Sequence, residues 1–161
     1  MTTTTNITNT GPADVAKDTT PDWWTPLCGR LGYRARRRLR SLGQEYVYAP
    51  GGTIVQEGAR ADRFSLIIHG DVDVEVGGEV VATLREGDHF GEVAMLYSRP
   101  RNPDEAPVSM PRTASVRANR VTRVREFDRA ELMMVLDAAP AAATRISRRA
   151  IGRLGAMTTR A

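Results

Sequence analysis

Residues 87–97 read Gly87-Asp88-His89-Phe90-Gly91-Glu92-Val93-Ala94-Met95-Leu96-Tyr97, and residues 111–116 read Pro111-Arg112-Thr113-Ala114-Ser115-Val116. The first stretch is a glycine turn followed by an apolar helical turn that begins after Gly91. The second opens a strand. Gly91 lets the backbone approach a ligand with no Cβ in the way. The first N–H groups of the short helix have no partner inside it and carry the positive end of its dipole, so they attract an anion. Arg112 offers a planar pair of donors for a phosphate. Thr113 adds a hydroxyl, and Glu92 a carboxylate that accepts from a sugar hydroxyl. Taken singly, a Gly-Glu pair is a turn and an Arg before a strand is a solvated cation. In register within one β-rich region, they suit a small ligand with a phosphate at one end and a sugar hydroxyl at the other.

Outward from this stretch the chain is punctuated by Gly51-Gly52, Gly58, Gly70-Asp71, Gly77-Gly78 and Gly87-Asp88. Val72, Val74 and Val76 alternate with Asp71, Asp73 and Glu75, the period of a strand with one buried face. Val116, Val121 and Val124 carry the later strands. Regular short strands between glycine turns predict a mainly β, jelly-roll-like barrel over residues 45–127, with Gly58, Gly70 and Gly87 in its turns. Helices flank it. Residues 21–44 read as a helical segment capped by Asp22, with Leu27, Leu31, Ala35 and Leu39 on one face and breaks at Pro26 and Gly32. Residues 128–157 turn helical again. Asp128 and Glu131 have the spacing of a capping box, ahead of Leu132, Val135 and Leu136. Pro140 starts a second helix, read with Ile146, Ala150, Ile151 and Leu154 inward and Arg145, Arg148, Arg149 and Arg153 outward. Residues 1–20 are polar and Thr-rich, and are predicted to be a disordered tail.

The 161 residues carry a formal charge of +4, almost wholly through arginine, since Lys17 is the single lysine. Charge of this size permits an acidic partner but decides nothing about fold. Arg34, Arg36, Arg37, Arg38 and Arg40 form either a solvated helix face or a patch for acidic partners or nucleic acid. Trp23 and Trp24 read as a packing anchor. Cys28 is the single cysteine, which excludes an intrachain disulfide or a cysteine-based zinc cluster and fits a reducing cytoplasm. No apolar run approaches the roughly 18 residues needed to span a bilayer, and no secretory segment is evident. A metal site of the small β-barrel type needs several histidines. Only His69 and His89 are present, both read as surface or turn residues. No Ser-His-Asp setting is recognisable. Neither an enzyme nor a metal or resident cofactor is expected.

At this point the motifs resemble the cyclic nucleotide-binding domain, the β-roll of bacterial cAMP receptor-type regulators, cyclic-nucleotide-dependent kinases and gated channels. The resemblance covers roughly residues 31–154. Ala49-Pro50-Gly51-Gly52-Thr53-Ile54-Val55-Gln56-Glu57-Gly58 is similar to the family's first glycine-marked hairpin. Phe64 to Gly70 and Asp71 to Val76 match the next two strands and the turn between them. Residues 87–92 and 111–114 match the two ends of its phosphate-binding cassette, here residues 87–116. The resemblance implies a double-stranded β-helix roll flanked by helices. It implies that Glu92 holds the ribose 2′-hydroxyl and that Arg112 holds the cyclic phosphate, helped by Thr113 and by backbone around Gly91. Val93, Ala94 and Ala114 complete the implied site, with Phe90 at its edge.

The chain departs from the family between the two ends of the cassette. Two Pro-Arg pairs stand there, Pro100-Arg101 and Pro111-Arg112. The first has the usual spacing from Leu96, which keeps Arg101 as a second candidate. The second has the usual sequel into a strand, which favours Arg112. The extra residues, 98–110, hold Asp104 and Glu105, and the prolines in and beside them predict a stiff, extended loop. Two functions fit the resemblance. One is a sensor of cAMP or cGMP without its own output domain, acting through protein contacts or self-pairing at its terminal helices. The other is a degenerate member that binds no nucleotide and serves as an interaction or assembly module. Thr113 after the arginine is similar to some cGMP-selective eukaryotic members, but bacterial sites with a hydroxyl there also take cAMP. Too few residues follow the last helix for a winged helix-turn-helix, so sequence-specific DNA reading is not expected.

Overall fold

The computed structural model describes residues 23–97 and 110–158. Two short helices come first, α1 (Thr25–Cys28) and α2 (Tyr33–Leu39). The break falls between Gly29, which caps the end of α1, and Gly32, which caps the start of α2, whereas Pro26 sits in the first turn of α1 and does not break it. Eight strands follow: β1 (Gln44–Tyr48), β2 (Thr53–Val55), β3 (Phe64–His69), β4 (Asp71–Val76), β5 (Glu79–Arg85), β6 (His89–Phe90), β7 (Ser115–Ala118) and β8 (Thr122–Phe127). Helix α3 (Glu92–Tyr97) lies between β6 and β7. Helices α4 (Arg129–Ala138) and α5 (Pro140–Thr158) close the chain.

The strands form two antiparallel four-stranded sheets, ordered β1-β8-β3-β6 and β2-β7-β4-β5. Strand neighbours far apart in sequence are the mark of a jelly-roll-like β-roll. The turn between β3 and β4 depends on Gly70, whose φ is +95°; a Cβ there would lie 2.8 Å from the Thr122 backbone. Gly58 and Gly87 also sit at positive φ.

Strand β3 shows how the roll acquires two cores. Its successive side chains point to opposite faces. Phe64 and Leu66 join Trp23, Trp24, Leu27, Leu39, Phe127, Leu132, Val135 and Ile146 in a core between one sheet and the helices. Ile67 joins Val72, Leu84, Phe90, Val116 and Val124 in a second core between the sheets. Trp23 lies 5.1 Å from Phe127, ring centroid to centroid, with the Arg125 guanidinium over its ring at 5.0 Å.

The capping box at α4 is complete: Glu131 N–H donates to Asp128 Oδ1 and Asp128 N–H donates to Glu131 Oε2. Helix α5 buries Ala142, Ile146 and Ala150, whereas Ile151 is 67% exposed. Ile151 therefore does not belong to the inward stripe; that stripe steps 142, 146, 150 and leaves 151 a quarter-turn away. Val121 is likewise exposed in the turn before β8. Asp22 lies outside the described residues. Among the described residues no helix is long and apolar enough to cross a membrane.

Candidate functional site

Strand β6 delivers the chain to Gly91 and α3. Gly91 has φ +88°, and a Cβ there would fall 2.5 Å from the Arg63 carbonyl oxygen and 2.8 Å from Arg112 Nη1. No residue with a side chain fits, so the glycine is required both by backbone conformation and by close approach. Helix α3 then turns Glu92 inward, where it is fully buried.

Arg112 reaches the same place from the other end of the cassette. Its backbone is fixed by two hydrogen bonds to the turn after β2: Gly58 N–H donates to Arg112 O at 2.9 Å, and Arg112 N–H donates to Ala59 O at 2.8 Å. The residue is buried, with 8% exposure. Nη2 donates to Arg63 O at 2.9 Å and lies 4.0 Å from Asp62.

Gly91, Glu92, Val93, Arg112, Thr113 and Ala114 line one cavity of about 60 Å³, walled also by Val55, Val74, Phe90, Val116 and Arg153. Of these lining residues, Glu92 and Arg112 each bury a polar atom, Oε2 and Nη1, with no hydrogen-bond partner among the described residues. Buried polar atoms are nearly always paired, and leaving one unpaired costs about 1–3 kcal/mol. The lining residues thus hold one unsatisfied acceptor and one unsatisfied donor. Burial raises the Glu92 carboxyl above its ordinary range, opposed by the Arg153 guanidinium. Burial lowers Arg112, opposed by Asp62, Glu126 and Glu92. Such a site complements a ligand that brings both a hydroxyl donor and an anion.

The structure brings the sequence candidates together around this cavity. Thr113 is exposed at its rim and Ala114 is buried. Ala94 lies on α3. Arg101, Asp104 and Glu105 lie outside the described residues, as does the loop 98–109.

Arg153 is the residue sequence reading missed. It was placed on the outward face, yet its Nη1 donates to Glu92 Oε1 at 2.5 Å and its Nη2 to His89 O at 2.7 Å. Arg149, one turn earlier, pairs with Asp88. The signal was present in the spacing: 146, 150 and 153 follow the i, i+4, i+7 rule of one helix face. Its charge argued for solvent, and a buried carboxylate from another element overruled that.

His89 also departs from expectation. It is buried rather than at a turn surface, because β6 pairs with β3 and stacks its ring 5.4 Å from Phe64. Burial, reinforced by Arg153 and Arg149, pushes its pKa down to about 3.

Comparison with known proteins adds the following. The family model for the cyclic nucleotide-binding domain matches residues 45–139. A cAMP-dependent protein kinase regulatory subunit of Yarrowia lipolytica is 41% identical over 78 residues, covering 47% of this chain and 21% of that protein. A cGMP-dependent protein kinase of Toxoplasma gondii is 42% identical over 55 residues, covering 34% of this chain and 6% of that protein. The chain therefore spans about a fifth of the first relative and far less of the second. Among solved structures, one described as Sp-2Cl-cAMPS bound to PKAR CBD2 superposes with a TM-score of 0.64 at 21% identity, covering 85% of this chain and 89% of that one. A cAMP-bound PfPKA-R structure gives 0.62 at 22% identity, covering 83% and 45% respectively. At these identities the structural likeness speaks for the fold.

Proposed function

The chain belongs to the cyclic nucleotide-binding domain family, and we propose that it is a regulatory sensor of cAMP or cGMP. The observation that carries this is that Glu92 and Arg112, two residues lining one cavity, each keep a buried polar atom, Oε2 and Nη1, with no hydrogen-bond partner among the described residues. A 3′,5′-cyclic nucleotide brings a ribose 2′-hydroxyl and a phosphodiester anion on one rigid frame, and so satisfies both at once. In this reading Arg112 holds the phosphate by charge-assisted hydrogen bonds. Thr113 and the backbone around Gly91 and Ala114 support it. Glu92 accepts from the 2′-hydroxyl.

Signal output follows from Arg153. Glu92 Oε1 is held by α5 through Arg153, while Oε2 is buried with no partner among the described residues. A bound hydroxyl on Oε2 stabilises the carboxylate as a charged partner, and so strengthens the tie to α5. Helix α5 packs on α1, α3 and α4, so occupancy of the cavity biases how the helical layer sits. The effect reaches a protein partner through those helices, since a ligand shifts an equilibrium only through contacts that differ between states.

A second reading, an assembly module without ligand, is supported by the contacts the site already makes to itself: Arg153 on Glu92, and the Arg63 carbonyl on Arg112. Calorimetric titration with cAMP and cGMP separates the two. Saturable binding of either nucleotide is the expected result. A folded protein that gives no binding heat with both, and no shift of melting temperature, overturns the sensor reading in favour of the module.

A further inference from the structure

On β8, Thr122, Val124 and Glu126 share one face by strand alternation, and Val124 lies in the core between the sheets. The pattern calls for an apolar residue at 126. A carboxylate stands there instead, flanked in register by Gln44 of β1 and Ser65 of β3. Polar residues at inward strand positions are costly, and where they occur they mark function more than packing.

Glu126 opens into a second cavity, of about 240 Å³, lined with it by Tyr48, Asp62, Arg63, Ser65 and Arg112. Arg112 lines this cavity and the proposed nucleotide cavity alike. The groups facing Glu126 are few. From β1, the Tyr48 hydroxyl donates to Oε1 at 3.2 Å. From the segment before β3 come Arg63 and Asp62, and from the segment before β7 comes Arg112. Arg60 lines the same cavity. Asp62 is the other anion, but at 65% exposure it is screened by water. Glu126 is more buried, and burial already raises its carboxyl above the ordinary range.

We propose that Glu126 is a specificity-determining carboxylate set behind the phosphate arginine: ionised, it competes with an incoming phosphodiester for the charge of Arg112, so that nucleotide binding is coupled to proton uptake by Glu126. The inference rests on the nucleotide reading above. The physics is that of two anions sharing one cation. When the second anion arrives, the first loses part of its stabilisation and its affinity for a proton rises. Uptake of a proton on binding means, by linkage, that affinity rises as pH falls. Tyr48 acts in the opposite sense, since its hydrogen bond favours the ionised form.

The test is calorimetry of the full chain with cAMP and with cGMP across pH, each point in two buffers of different ionisation heat. The wild type is expected to take up a fraction of a proton and to bind more tightly at lower pH. Glu126→Gln is expected to bind about threefold to tenfold more tightly near neutrality, a gain of about 0.65 to 1.4 kcal/mol, with the uptake abolished. Tyr48→Phe should move the pH dependence upward. Unchanged or weaker binding by a folded Glu126→Gln, or uptake that persists in it, overturns the proposal. Should the wild type bind neither nucleotide, the sensor reading fails separately. The coupling is then read in the free protein by following the Glu126 carboxyl by carbon-13 NMR: Arg112→Met should raise its titration midpoint, and an unmoved midpoint overturns the coupling too.

Discussion

The two cores of the roll are built differently. The one between sheet and helices gathers fifteen buried residues, among them Trp23, Trp24, Phe64 and Phe127. The one between the sheets gathers six, and polar groups take over where it approaches Arg112. Ser65, Glu92, Arg112 and Ser115 are all buried around it. The difference teaches a division of labour. Apolar burial in the helical layer holds the fold. The space between the sheets gives up part of that stabilisation, leaving a buried donor and a buried acceptor unpaired among the described residues.

The largest effect that could break this contrast is on stability. Phe127 is fully buried and its ring touches Trp23 and Phe64. Phe127→Ala should cost about 3–5 kcal/mol of unfolding free energy. A denaturant midpoint close to wild type would mean the helical layer is not the main store of stability.

The next concerns affinity. Arg112→Ala should weaken cAMP or cGMP binding by about 2–5 kcal/mol, as for truncating one side of a desolvated charge pair. Its unfolding free energy should move far less than that of Phe127→Ala, because a buried charge has a desolvation cost that its removal relieves. Calorimetry and denaturant unfolding on the same variant make the comparison. Equal losses in both would place Arg112 with the structural core.

The smallest, reckoned per pH unit near neutrality, is a pH effect at the seam between the two cores. Buried neutral His89, held down to about 3, leaves the unfolded chain binding more protons than the folded one below its ordinary 6.5. Stability should therefore fall as pH drops from about 6.5 towards 3, with a slope of at most about 1.4 kcal/mol per unit from this residue. Glu92, raised by burial, contributes with the opposite sign above the ordinary carboxylate value. Comparing wild type with His89→Leu isolates the histidine: the variant's stability should decline less in that window. Parallel curves would show that His89 is paired by a proton-accepting group.

What was legible in the sequence follows from how local each signal is. The Val72, Val74 alternation, the glycine turns and the Asp128–Glu131 cap are each contained in a few residues, and each stands in the structure as strand, turn or cap. The Gly91-Glu92 and Arg112-Thr113 pairs could be read because each is a short string. That the two strings share one cavity became visible only in three dimensions. Arg153 and His89 were misplaced because their surroundings come from distant elements. A charge is expected outside until a buried carboxylate meets it, and a histidine beside glycines looks like a turn until β6 pairs with β3. Glu126 drew no notice, since alternation on β8 is short and the carboxylate looked like one more polar strand residue.

The hydrogen-bonded pairing of Arg112 with Gly58 and Ala59 has a consequence for how this chain can vary. The Arg112 backbone is tied to a turn some fifty residues upstream. That anchor is expected to hold the Arg112 backbone in place when the length between Tyr97 and Met110 changes. Closure entropy grows only as the logarithm of loop length, so each doubling costs about 0.6 kcal/mol. Evolution can lengthen, shorten or rewrite that stretch at little cost, and a protein engineer can splice a reporter or epitope into it while the backbone of the arginine stays where the upstream turn holds it.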